Sequence, residues 1–215
     1  MSTMRPDRAS GYCPFCEAAE LSRHDVAWFN KPIYETPNFT VLPSLGAMVK
    51  GWLLVSPKQH VLNSSLISRE LRSEFRDLLA YTREHVVRAF GSVAVFEHGA
   101  SAEGSLTGCG LDHAHVHCVA LPFSLQEAVE GDSANLRWSR CSGIDSLISI
   151  QMDYLAIEEQ SAGTWICFPK IPISQFFRRI IAAKLGIVDR FNYQTDLFIP
   201  NVVDTKRRFE AALHR

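Results

Sequence analysis

No segment limits the possible folds of this chain more than the run His113-Ala114-His115-Val116-His117-Cys118-Val119, in which rings and small or apolar residues alternate strictly. A period of two belongs to a strand, where successive side chains leave opposite faces, so the three imidazoles share one face at a pitch of about 6.6 Å. Ala114, Val116 and Cys118 then point the other way, toward a core. Such a strand needs a sheet around it, and 215 residues suffice to build one with a sizeable interior. Hydrophobic residues at 47% and charged residues at 21% are those of a folded globular chain, which excludes a disulfide-stapled miniprotein and a disordered one.

The remaining pattern predicts an α+β fold. Short apolar segments cut by turn residues, Val26 to Phe29, Ile33 to Glu35, Phe39 to Leu42 and Trp52 to Val55, read as strands of an antiparallel meander. Leu66, Leu71, Phe75, Leu78, Leu79, Val86 and Phe90 then recur at helical spacing, which predicts one long helix over roughly 68–90, ended by Gly91. Strands over Ser92 to Glu97 and Ala114 to Leu121 flank a glycine-rich loop, His98 to Asp112, and the helix is expected to cover one face of the sheet. The formal charge of −1 offers no net field for nucleic acid or an anionic membrane. No apolar run is long enough to span a bilayer, and the polar start of the chain is unlike a signal peptide, so a cytoplasmic location is expected.

Cys13-Pro14-Phe15-Cys16 places two thiols at a spacing that suits tetrahedral zinc on a tight turn, with two ligands, expected to be imidazoles, to come from elsewhere. A redox pair is the competing reading, weighed down by the absence of a strand-to-helix junction at the motif. His98 ends a strand beside the glycine loop and is either a surface residue or one that reaches into the site. His24, His85 and His214 lie in polar surroundings and read as solvated, Cys118 as core, and Cys141 and Cys167 as buried thiols.

The histidine run, preceded by Gly108-Cys109-Gly110-Leu111-Asp112 and by Lys50-Gly51-Trp52-Leu53-Leu54-Val55-Ser56-Pro57-Lys58-Gln59-His60, resembles the histidine triad superfamily over roughly residues 13–122. The resemblance implies an antiparallel sheet with a long helix and action on nucleoside phosphates through a nucleotidyl-histidine intermediate. It implies His115 as nucleophile, His117 as a partner at the phosphoryl or leaving group, and a structural zinc held by Cys13, Cys16, His60 and His113. Glycines 104–110 let the backbone approach a phosphate closely, which makes Gly108 and Gly110 candidate binding positions. The chain departs from the common pattern at Cys109 and Gly110, where an amide and a hydroxyl are usual, so Ser105 is the candidate replacement. Ser44 stands where the ribose is usually held, and Trp52 replaces a frequent histidine.

Residues 123–215 exceed a minimal domain of this kind, residues 1–122, and are expected to form a C-terminal extension packed on it. A short helix over Ser124 to Glu130, a hairpin of Asp153 to Ile157 with Thr164 to Phe168, a helix over Ser174 to Leu185 capped by Ser174, and a last helix over residues 203–213 are expected. Pro172 to Arg179 is either an ordinary cap with a solvated basic face or an anion site using Gln175 and Arg178. The reading favoured is a zinc-stabilised hydrolase of a dinucleoside polyphosphate, nucleoside phosphoramidate or nucleotidylated metabolite. A nucleotidyltransferase or phosphorylase with a non-water acceptor and a non-catalytic nucleotide-binding protein are the alternatives. Nucleotide is the expected ligand, with no nucleic acid or membrane partner, and homodimerisation is common among the proteins it resembles.

Overall fold

Period-two patterning in the strands separates the apolar residues into two sets, and each set is buried under its own helices. The computed structural model describes residues 13–20, 31–132 and 136–213, and within these the chain is α+β. The elements are α1 (Pro14–Glu20), β1 (Tyr34–Glu35), β2 (Phe39–Pro43), β3 (Trp52–Pro57), α2 (Arg72–Phe90), β4 (Val93–Gly99), β5 (Val116–Ala120), α3 (Leu125–Asp132), β6 (Trp138–Cys141), β7 (Tyr154–Glu159), β8 (Gly163–Cys167), α4 (Phe176–Lys184) and α5 (Ile199–Leu213). All eight strands join one sheet in the order β1-β2-β3-β5-β4-β7-β8-β6, every pair antiparallel.

Leu53, Val55, Val95, Val116 and Cys118 face α2, whose Phe75, Leu78, Leu79 and Val86 supply the helical stripe, with Phe209 of α5 beside them. Trp52, Leu54, Ala94, Phe96 and Val119 face the opposite way, onto Leu125 and Val129 of α3 and Phe176, Phe177, Ile180 and Ile181 of α4. The sheet is therefore covered on both faces, where the sequence led us to expect one helix on one face. Phe96 and Phe177 are fully buried, ring centroids 4.7 Å apart, and each contributes about 1.5–3 kcal/mol from apolar burial. They tie α4 to the centre of the sheet.

Several boundaries differ from the sequence reading for local reasons. The long helix begins at Arg72, after a 3-10 turn at Arg69–Leu71 that uses up the expected start. β5 begins at Val116, because Ala114 bonds outside the ladder: its N–H donates to the Val61 carbonyl (2.6 Å) and its carbonyl accepts from the Ser56 hydroxyl (2.8 Å). Ser174 does not cap α4; Gln175 precedes the helix in the left-handed region at φ 56°, and no side chain caps it. The last helix starts at Ile199, four residues early. β6 had no signal, since Trp138-Ser139-Arg140-Cys141 is too short and too polar to stand out. The expected strand at Val26 to Phe29 lies outside the described residues, as do His24 and His214. His85 is not solvated: it is buried, packs between Tyr81 and Phe209, and donates from Nδ1 to the Tyr81 carbonyl one turn back (2.8 Å). Among the described residues no helix is long and apolar enough to cross a membrane.

Candidate active site and metal centre

β5 sits between β3 and β4, so its side chains are flanked by those of both neighbours. Phe96 of β4 stands opposite His117 of β5, and Leu54 of β3 stands opposite it on the other side. The imidazole of His117 stacks on Phe96 (centroids 4.4 Å apart, planes at 15°) and meets Trp52 edge-on at 5.9 Å. His115 lies 5.0 Å away on the same face, and His98, at the end of β4, lies 6.0 Å from His117. All three rings are buried, so His98 is not a surface residue and belongs to the same cluster of rings as His117. Val116 and Cys118 are in the opposite core, as alternation requires.

Each ring is tied to a partner that can act in one sense only, which assigns its protons. Trp52 Nε1–H can only donate, and it donates to His117 Nδ1 at 2.9 Å, so the proton of neutral His117 is on Nε2. The His113 carbonyl can only accept, and it takes the Nδ1–H of His115 at 2.8 Å, which leaves the His115 Nε2 lone pair free. His98 Nε2 accepts from the Phe177 backbone N–H at 3.2 Å; its Nδ1, which carries the proton in neutral His98, has no partner among the described residues. Burial holds the rings neutral. Desolvation brings His115 down to about 4 and His98 down to about 3, and with the charges of His115, His98 and Arg178 nearby it holds His117 well below the ordinary histidine value.

His113 faces the other way in its chemistry. Its Nε2–H donates to the Pro57 carbonyl (2.8 Å), so Nδ1 presents a lone pair toward Cys13 Sγ (3.2 Å) and Cys16 Sγ (3.6 Å). His60 Nδ1 lies 3.3 Å from Cys16 Sγ, and the four ligand atoms all lie within 4.8 Å of one another. Metal bonds of roughly 2.0–2.3 Å set tetrahedral S and N ligands about 3.3–3.8 Å apart, close to the three distances above and inside the spread of the cluster, so the four residues could hold one ion once the widest pair closes. The His113 bond to Pro57 is the outer hydrogen bond expected of a ligating imidazole. Burial raises the Cys13 thiol, but the hydrogen bond and charge of His113, with the backbone N–H groups of Cys16 and Phe15, outweigh it and bring the thiol down to about 6. The motif opens helix α1 rather than a turn, with the Cys13 carbonyl accepting from Glu17 N–H, so the junction criterion does not dismiss a redox pair. The convergence of two imidazoles on the same point is what favours a metal.

The other candidate residues are placed as follows. Phe15, between the cysteines, sets its ring edge-on to His113 (5.4 Å) and His115 (5.8 Å). Ser105 donates its hydroxyl to Asp153 (2.5 Å), and Asp153 also takes the N–H and hydroxyl of Ser101, so this pair anchors the glycine loop. A Cβ added to Gly108 would stand 3.0 Å from that of Ala100, and Gly110 adopts φ 80° beside Tyr193 and Gln194. Ser44 is buried with its hydroxyl on the Leu45 carbonyl (3.3 Å). Gln175 donates its backbone N–H to Cys109 Sγ (3.1 Å) and its side-chain amide to Asn192 (3.3 Å). Arg178 is buried, not part of a solvated basic face. Its Nε donates to the Phe191 carbonyl (2.8 Å), its Nη2 to the Gly46 carbonyl, and its guanidinium lies 4.8 Å over the Trp52 ring. Gly46 permits this approach at φ 74°; a Cβ there would stand 2.6 Å from that of Tyr193. Arg179 points elsewhere, stacked 4.0 Å over Phe191. Sequence reasoning gave no role to Trp52, noted only as the replacement of a frequent histidine, or to Phe177 within the Pro172 to Arg179 stretch, because their contacts with His117 and His98 join residues distant in sequence.

No family model matches the chain, and no curated protein matches it. Among solved structures, a hypothetical histidine triad nucleotide-binding protein from Sulfolobus tokodaii is similar, at 18% identity and a TM-score of 0.41, with 50% of this chain and 68% of that one covered.

Two expectations follow. Protein purified under reducing conditions carries about one equivalent of metal by elemental analysis, and Cys16→Ala loses it together with several degrees of melting temperature; metal-free wild-type protein of equal stability would refute the centre. His98 takes a proton in the unfolded chain below about pH 6.5 and in the folded chain only near 3, so it makes stability fall as pH drops through that window. His98→Gln, which keeps an acceptor for the Phe177 N–H, should show a shallower fall by urea titration between pH 6.5 and 4; an unchanged slope would count against a neutral buried His98.

Proposed function

We propose that this protein is a nucleoside phosphate hydrolase that forms a covalent nucleotidyl intermediate on His115. The observation that carries the reading is the polarity of one hydrogen bond: His115 gives its Nδ1–H to the His113 carbonyl, so a neutral ring presents Nε2 as a nucleophile with no prior deprotonation. The resemblance of the run His113–Val119 to the histidine triad superfamily supports the same assignment.

In the first step the His115 Nε2 lone pair attacks the α-phosphorus, an N–P bond forms, and the bond from phosphorus to the leaving oxygen or nitrogen breaks with its electron pair on the leaving group. Positive charge developing on the imidazole is met by the His113 carbonyl through Nδ1–H. His117 offers Nε2–H, and His98 its unpartnered Nδ1–H, to the phosphoryl oxygens as negative charge builds on them. In this reading Gly108 and Gly110 supply close backbone to the phosphates, and the loop that carries them is held by Ser105 through Asp153 and by Gln175 through Cys109. Water then attacks phosphorus, the P–N bond breaks, and the nucleoside monophosphate leaves. Both catalytic rings are more than nine-tenths buried, so substrate must displace covering side chains, and Phe15 packs directly on His115.

Zinc is the metal that two thiolates and two imidazoles suit, held by Cys13, Cys16, His60 and His113. When bound it supplies folding energy and rigidity rather than chemistry, because four protein ligands leave no position for water.

The test is intact-mass analysis after incubation with a panel of adenosine and guanosine phosphate derivatives. A nucleotidyl adduct is expected on the wild type, absent from His115→Ala, with turnover in that variant reduced at least a thousandfold. Decay of the adduct in water alone supports hydrolysis; nucleotide binding with no adduct anywhere in the panel would overturn the reading.

A further inference from the structure

Trp52 and Arg178 set a limit on what His117 can do. The indole N–H occupies His117 Nδ1 at 2.9 Å, and an indole can neither accept a proton from that nitrogen nor turn its hydrogen bond around. A general acid at this position would have to carry protons on both nitrogens before giving one up. Here the second proton has no place, because the nitrogen that would receive it already accepts one. Surrender of the remaining Nε2–H would leave an imidazolate, a far stronger base than the leaving groups it would protonate, desolvated against a wall made of Phe96 and Trp52.

The groups around His117 push in the same direction. Arg178 lies 4.8 Å over the Trp52 ring, fixed there by its bonds to the Gly46 and Phe191 carbonyls, and opposes a second proton, and so a positive charge, on His117. A cation over the indole face also draws density from the ring and strengthens its N–H as a donor. His115 and His98 are the other titratable groups beside His117. The first gives its Nδ1–H to a carbonyl and the second spends Nε2 on the Phe177 N–H, so neither is arranged to recharge His117.

We infer that Trp52, held by Arg178, fixes His117 as a hydrogen-bond donor that delivers no proton, and that the substrates of this site are therefore those whose leaving group departs as a stable anion. Phosphoanhydrides, in which the α-phosphorus loses a phosphate or polyphosphate chain, meet this requirement. Phosphoramidates, whose amine must be protonated as the P–N bond breaks, do not. The inference rests on the nucleophilic role of His115 and narrows the substrate class within it. It makes Trp52 and Arg178 positioning residues, with Arg178 acting through the indole.

The experiment measures adduct formation and turnover for a series of adenosine 5′-phosphoryl compounds whose leaving groups run from pyrophosphate through substituted phenols to an alkyl amine. Wild type is expected to show a steep fall with leaving-group basicity, at least a hundredfold between the ends, since a general acid closes a gap of about 10²–10⁴-fold. Trp52→Phe frees Nδ1 to take a proton and should flatten this dependence, while slowing the pyrophosphate substrate at least tenfold through loss of ring orientation. Ring ¹⁵N spectra of the wild-type protein provide a readout that needs no variant to fold: His117 should be the Nε2–H form, Nδ1 unprotonated, at pH 6–8. Equal rates across the series, or a His117 carrying its proton on Nδ1, would overturn this inference alone. Absence of any adduct on His115 would overturn the reading beneath it as well.

Discussion

The imidazole of His113 donates Nε2–H to the Pro57 carbonyl, and how this residue is held governs both the proposed metal centre, through its ring, and the orientation of His115, through its backbone carbonyl. With Nε2 committed, Nδ1 is the nitrogen left to join Cys13, Cys16 and His60. The backbone of the same residue offers its carbonyl to His115 Nδ1–H. One residue thus links a cluster drawn from the start of the chain and the stretch after β3 to the ring we assign to the chemistry. The segment lies outside the sheet ladder, where Ala114 N–H donates to the Val61 carbonyl and the Ala114 carbonyl accepts from the Ser56 hydroxyl, and a metal bound at His113 would add a further anchor.

The second organising constraint is burial. Between Phe96, Trp52 and Phe177 the triad face is apolar, so a charged imidazole there loses its hydration without gaining an ion partner. Three neutral rings with assigned protons result, and their tautomers come from partners of fixed polarity: an indole, a carbonyl and a backbone N–H. Residues after 122 take part in this. Phe177 supplies the N–H on His98, Arg178 covers Trp52, and Gln175 bonds to Cys109 in the glycine loop. The triad face is finished by α4.

Much of this was legible in the residues themselves. Alternation in His113–Val119 put His115 and His117 on one face and Cys118 on the other, and helical spacing in Phe75, Leu78, Leu79 and Val86 located the long helix. The metal set came from the resemblance, since Cys13-Pro14-Phe15-Cys16 alone names two ligands and leaves the others open. What escaped were properties that depend on contacts distant in sequence. Trp52 reads only as the replacement of a frequent histidine until His117, 65 positions later, is brought to its N–H. His85 looks solvated among Arg83, Glu84 and Arg88, but the helix turns it inward onto Phe209. For Arg178 the sequence leaves a solvated face and an anion site both open, and only the fold shows that Gly46 opens a path to two carbonyls and an indole. β6 carries no pattern because an edge strand of four residues needs none.

The role of His113 as a double anchor predicts not only which residue is modified but which atom. Correlation of ¹⁵N with ³¹P in the trapped intermediate, formed with a slowly hydrolysed nucleotide on ring-labelled protein, should find phosphorus bonded to Nε2 of His115, with Nδ1 protonated against the His113 carbonyl. Phosphorus on Nδ1 of His115, or on any other residue, would contradict the account.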